Sequence, residues 1–170
     1  MSPADFAALY ERELSYVWNS LRRLGVAPSD LDDLTQEVFV TAFQRIATYD
    51  AGRPLRPWLF GIAFRIASAR RERAFVHKEV GGDAMPEAPD EAPSPHRAME
   101  NAQTLARVLK ALETLRMERK AVFILHDIEG QSVPEVAAAL SIPLNTAYTR
   151  LRAARADFTD AFRKTSEDTR

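Results

Sequence analysis

Tyr148, Thr149, Arg152 and Arg155 set two hydroxyls and two guanidiniums along one strip of a helix. That donor and acceptor set is suited to base edges and phosphates in the major groove of DNA. The intervening Ala147, Leu151, Ala154 and Phe158 recur at spacings of four, three and four, so they share the opposite, buried face. Such a strip needs a brace, and the preceding residues supply one. Across residues 132–158 (SVPEVAAALSIPLNTAYTRLRAARADF), Ser132 and Glu135 have capping-box spacing and Pro134 falls in the first helical turn. Val136, Ala137 and Leu140 make an apolar stripe, and Ser141, Ile142 and Pro143 end it before a second helix begins. Two helices joined by a tight turn, with polar groups outward on the second, fit DNA reading. An ordinary helical hairpin with a solvated basic face fits the same residues.

Two further clusters could carry chemistry. Between residues 53 and 73 six arginines (Arg53, Arg56, Arg65, Arg70, Arg71, Arg73) face one acid, Glu72, a local balance of +5. Arginines along a helix neutralise phosphates, and Trp58, Phe60 or Phe64 could stack on exposed bases, although rings at that spacing more often fill a core. The second cluster is acidic. In LDDLTQEVFVTAF, Asp32, Asp33, Gln36 and Glu37 lie near a helix start, where the macrodipole favours acids. An acidic docking face for a basic protein is the functional alternative. No histidine lies near enough to turn these carboxylates into a metal or acid–base site.

Composition narrows the classes. With 46% hydrophobic and 28% charged residues the chain reads as a soluble globular protein. The absence of cysteine removes disulfides, thiolate metal sites and cysteine nucleophiles, and the three histidines (His77, His96, His126) are scattered. His126 reads as a packed or capping residue. No phosphate loop or nucleophile elbow occurs, so neither an enzyme, a cofactor nor a metal is expected. Nothing resembles a leader or a membrane span, which places the protein in the cytoplasm by default.

The order of patterns predicts an all-α chain in two small domains. Phe6, Leu9, Tyr10, Leu14 and Val17 mark a first helix, and residues 25–30 (GVAPSD) break it. Ser29 or Asp30 can cap the next, with Leu34, Val38, Ala42, Phe43 and Ile46 as its apolar stripe. Residues 49–57 read as a loop and residues 58–73 as a third helix carrying Leu59, Ile62, Ile66 and Ala69 inward. Residues 76–100 hold six acids against two bases, with Pro86, Pro89, Pro93 and Pro95, and predict a flexible acidic tether. Leu105, Val108, Leu109, Leu112 and Leu115 then open a second helical block. The expected division is 1–76, a linker over 77–100, a second domain over 101–164, and a disordered tail over 165–170.

These residues resemble a bacterial RNA polymerase sigma factor of the extracytoplasmic-function (ECF) type, in the sigma-70 family. Asp33, Gln36 and Glu37 fall where that family has its polymerase-docking helix. YDAGRPLRPWLFGIA is similar to its segment for the −10 promoter element. In EGQSVPEVAAALSIPLNTAYTRLRAAR, the residues Glu129, Gly130, Ser132, Glu135, Ala137, Leu140, Ile142, Pro143, Thr146, Arg150, Leu151, Ala154 and Arg155 match its −35 helix-turn-helix. The blocks then correspond to sigma region 2 and sigma region 4. The departures are Arg65 and Ala69 where Asn and Asp are frequent, Tyr148 and Thr149 for Lys and Ser, Asn145 for Gly, and Arg116 for Pro. They point to altered promoter preference.

The resemblance implies an initiation factor without catalytic chemistry, whose partners are core RNA polymerase, promoter DNA and an anti-sigma factor. Asp32, Asp33, Gln36 and Glu37 would dock on polymerase. Arg53, Arg56, Trp58, Arg65, Arg70, Arg71 and Arg73, with Asn145, Thr146, Tyr148, Thr149, Arg150, Arg152 and Arg155, would contact DNA. The acidic linker would thread the polymerase's RNA-exit channel. Two other classes remain on the residues alone: a free-standing dimeric helix-turn-helix regulator, and a metal-dependent nuclease using the acids of residues 30–37.

Overall fold

The computed structural model describes residues 3–79 and 96–167, in which every regular element is helical. Helix α1 (Pro3–Arg23) buries Leu9, Val17 and Leu21 and stops at Gly25, whose φ of 90° is open to glycine without strain. The Gly25 and Val26 N–H groups return to Arg22 and Leu21 carbonyls at 3.0 and 3.1 Å, a Schellman closure. A 3₁₀ turn (Pro28–Asp30) leads into α2 (Leu31–Arg45), and a second one (Ile46–Thr48) leaves it. Asp30 stands at the cap position of α2, but its carboxylate does not cap. It accepts two bonds from Arg70, at 3.0 and 3.1 Å, because the guanidinium offers a bidentate partner.

Helix α3 (Leu55–Glu79) is longer at both ends than its apolar periodicity suggested. Pro57 is tolerated in its first turn, where no intrahelical N–H bond is lost. The first three helices pack mutually around Val17, Val38, Leu59, Phe60 and Ala63, all fully buried. Phe43, expected on the buried stripe of α2, is 51% exposed, because that stripe turns Leu34, Val38, Phe39 and Ala42 inward instead.

In the second block α4 (His96–Glu113), α5 (Met117–Phe123), α6 (Val133–Leu140) and α7 (Leu144–Glu167) form the unit, with α7 packed on the other three. Leu105, expected on the apolar face of α4, is 44% exposed, whereas Leu112 and Leu115 are buried. A π turn (Ile124–Ile128) follows α5; His126 Nδ1 lies 2.7 Å from the Gln131 carbonyl oxygen and braces the approach to α6.

The helices reach into both ends of the expected tether, and residues 80–95 lie outside the described residues. Of the expected tail, 165–167 complete α7 and 168–170 also lie outside them. The two blocks touch directly: α3 packs on α6, and one apolar core runs through both.

Candidate nucleic-acid and docking interfaces

The helix-turn-helix forms as its sequence prescribes. The Ser132 hydroxyl accepts from Glu135 N–H at 3.3 Å, and Glu135 Oε2 accepts from Ser132 N–H at 2.9 Å. Oε2 accepts from the Ser132 hydroxyl as well, at 2.8 Å, and the bonds from the Ser132 N–H and then its hydroxyl favour the ionised carboxyl and hold the Glu135 pKa below its ordinary value. Ser141 ends α6 in the left-handed region (φ 56°), with Ile142 N–H returning to the Ala137 carbonyl at 3.0 Å.

On α7, Ala147, Leu151 and Ala154 are buried and Phe158 stacks on Phe123 with centroids 4.6 Å apart. Asn145, Tyr148, Thr149, Arg152 and Arg155 are exposed, while Thr146 and Arg150 are half-buried. Thr149 donates its hydroxyl proton to the Asn145 carbonyl at 2.9 Å, so only its lone pairs face outward. Arg155 is committed to Asp127 (Nη2–Oδ1 2.7 Å), which raises its pKa further, mainly through that hydrogen bond.

The arginines of the first block divide. Arg56 donates to Glu13 at 2.9 Å and lies over the Tyr16 ring at 5.0 Å. Burial would raise the Glu13 pKa, but the bonds from Arg12 and Arg56 outweigh it and the net shift is downward. Arg65 turns back to the Gly61 carbonyl (3.2 Å) and reaches Ser141 Oγ at 3.4 Å; burial, then the nearby Arg45, push its pKa down. Arg70 is held by Asp30, and Arg73 donates to the Ala69 carbonyl at 3.3 Å. Arg53 pairs loosely with Asp50 at 3.6 Å, and Arg71 is exposed. Phe60 is core; Trp58 is half-buried and tilted against Tyr49 at 4.9 Å.

On α2, Asp32, Asp33, Gln36 and Glu37 are all exposed. Asp32 accepts from Trp18 Nε1 at 3.2 Å, whereas Asp33, Gln36 and Glu37 make no side-chain bond to any described residue. Beside them opens a feature that the sequence reading missed: an apolar groove of about 400 Å³ lined by Phe6, Tyr10, Gln36, Phe39, Val40 and Phe43. Val40 is 57% exposed, and Phe6 meets Phe43 edge-on at 4.9 Å. Its signal is the row Gln36, Val40, Phe43, spaced four and three, a second stripe beside the core stripe.

The acids of residues 30–37 diverge to Arg70, to Trp18 and to solvent, and among the described residues no group of three or more acids or histidines is placed to hold a metal. No helix among the described residues is long and apolar enough to cross a membrane.

Two family models match the chain, Sigma-70 region 2 over residues 9–74 and Sigma-70, region 4 over residues 105–158. The RNA polymerase sigma factor NccH of Alcaligenes xylosoxydans xylosoxydans is 30% identical over 157 residues, covering 91% of this chain and 84% of that one. CnrH of Cupriavidus metallidurans is 33% identical over 159 residues, covering 89% and 83%. Among solved structures, the sigma factor RpoE of Bartonella quintana, in complex with the anti-sigma factor NepR, superposes with a TM-score of 0.72. It covers 94% of this chain and 97% of that one at 21% identity, a likeness of fold. The region 2 match spans the acids of α2 and the α3 arginines, the region 4 match spans the capped helix-turn-helix, and the chain belongs to the ECF group of sigma-70 family RNA polymerase sigma factors, regulators of transcription initiation.

Proposed function

We propose that this chain directs core RNA polymerase to promoters by reading a −35 element with α7 and a −10 element with α3. The observation that carries the reading is the outer face of α7, where Tyr148, Thr149 and Arg152 are exposed on a helix braced by the capped α6. Such a helix can enter the major groove and meet base edges. Asn145, Thr146 and Arg150 at its start would contact phosphates and fix its register. The arginines of α3 offer a basic surface for the upstream duplex, where unstacking costs about a few kcal/mol per step and capture of extruded bases offsets it.

Docking falls to α2. Asp33, Gln36 and Glu37, which bond to no described residue, stand beside the Val40–Phe43 groove, which suits a partner helix with a basic edge and an apolar face. Two modest DNA surfaces mounted on one enzyme gain joint affinity through effective concentration. The chain would then act in the cytoplasm, as a regulator rather than an enzyme. The Bartonella relative's complex supports an anti-sigma partner here as well.

Run-off transcription with purified core polymerase on promoter fragments tests the reading. Start-site selection that depends on the added chain is the expected result. Strong, sequence-specific footprints from the chain alone, without polymerase dependence, would move it to the free-standing regulators.

A further inference from the structure

Two large apolar side chains stand on the outer face of α7. Leu144 is 44% exposed and Tyr148 51%, although the helix buries its other apolar residues along Ala147, Leu151 and Ala154. Being four residues apart, they lie one above the other, and Arg152 continues the same row a turn later. A lone exposed leucine is ordinary on a protein surface. A leucine beside a tyrosine, on the face that the capped α6 holds outward, forms one patch.

The turn explains why Leu144 does not point inward. Ser141 closes α6 in the left-handed region, Ile142 packs against the core, and the helix restarts at Leu144. Ala147 is then the first residue of α7 to be buried. The Tyr148 hydroxyl bonds to no described residue, so no polar contact within the chain holds its ring in place.

The chemistry around the patch selects what it can meet. Two side chains fall far short of a protein–protein interface, which takes roughly 20–30 residues a side. No acid stands in the first turn of α7, so DNA phosphates are not repelled there. Thr149, whose proton goes to the Asn145 carbonyl at 2.9 Å, and the exposed Arg152 bring polar groups to the same face. Leu144 brings neither a donor nor an acceptor. In the major groove the apolar feature of a base edge is the C5 methyl of thymine. The first residues of a recognition helix are the ones that reach base edges. At a rise of about 1.5 Å per residue, Leu144 and Tyr148 stand roughly 6 Å apart along the axis, within reach of methyls on neighbouring base pairs.

We propose that Leu144 and Tyr148 read thymine methyl groups in the −35 element, so that the chain prefers thymine at one or two neighbouring positions. This rests on α7 entering the major groove, and adds which group of which base the start of that helix recognises.

The test exchanges thymine for deoxyuracil, which removes the methyl and leaves every hydrogen-bonding group of the base in place. Run-off transcription is reconstituted from core polymerase and the full chain on templates randomised across the −35 element. The templates are made once with thymine and once with deoxyuracil in that element, each barcoded in its transcript. The parent chain should favour thymine over deoxyuracil in the same sequence by about three- to five-fold per contacted methyl, the worth of burying one such group. Leu144→Ala with Tyr148→Ala should abolish that discrimination at unchanged far-UV helicity. Should this chain lose helicity, the two single variants replace it, each expected to lower the discrimination. A parent chain that uses deoxyuracil templates as well as thymine ones overturns the proposal. So does a folded variant that discriminates as the parent does, since another side chain then reads the methyl. Absence of chain-dependent transcripts from every template overturns the functional reading itself, and this inference falls with it.

Discussion

Arg155 clamps Asp127 through two nitrogens, Nη2 to Oδ1 at 2.7 Å and Nε to Oδ2 at 2.9 Å, tying α7 to the π turn that precedes α6. It therefore differs from Arg152, its neighbour one turn earlier, which is exposed and bonds to no described side chain. Arg152→Ala should relax base preference at one or two positions of the −35 element, by ~1–3 kcal/mol for a bidentate contact. Arg155→Ala should leave that preference in place and cost ~0.5–1 kcal/mol of stability, as expected for a half-exposed pair. Transcription from a library of substituted promoters, beside urea denaturation, separates the two. Equal effects on base preference would show that Arg155 leaves Asp127 to read DNA.

The acids of α2 make a separate claim. Asp33→Lys with Glu37→Lys should abolish co-purification with core polymerase and leave helicity unchanged, because both side chains are exposed and bond to no described residue. Val40→Asp should weaken the same binding by at least ten-fold through the groove. Retention of polymerase by both variants would remove α2 as the docking helix.

Lys120 gives a pH signature. Burial, then Arg71, push its pKa down to about 8, against a slight upward pull from Glu113. Below pH 8 the lysine is charged in the folded and the unfolded chain, and the burial penalty is present in full. Between about pH 8 and its ordinary 10.5 the folded chain has released a proton that the unfolded chain keeps, so this group's contribution to stability rises with pH. Lys120→Met should raise stability at pH 7 by ~1–3 kcal/mol. The gap to the parent should shrink towards pH 10. Parallel stability curves across that range would mean the amine is hydrated when folded.

Ser132→Ala removes one half of the capping box and should cost about 1 kcal/mol. Thermal unfolding reads the loss directly. Because α6 braces α7, a fall in −35 binding should accompany it.

Local chemistry made much of this molecule legible before any coordinates. The capping box at Ser132 and Glu135, the Ala147–Leu151–Ala154 stripe and the exposed strip around Tyr148 and Arg152 follow from spacings of three and four, which fix a side chain's direction within one helix. The same rule placed Asp33, Gln36 and Glu37 on a surface. It was less reliable for Phe43, because a helix with two adjacent apolar rows does not say which one the core takes. What only the tertiary structure decided lies between elements distant in the chain. Arg56 meets Glu13, Arg70 meets Asp30, Tyr16 meets Glu129 and Lys120 meets the end of α1, none of them within reach of a sequence pattern. Periodicity tells which way a residue faces on its own helix. Which helix comes to face it is set by the packing of the whole chain.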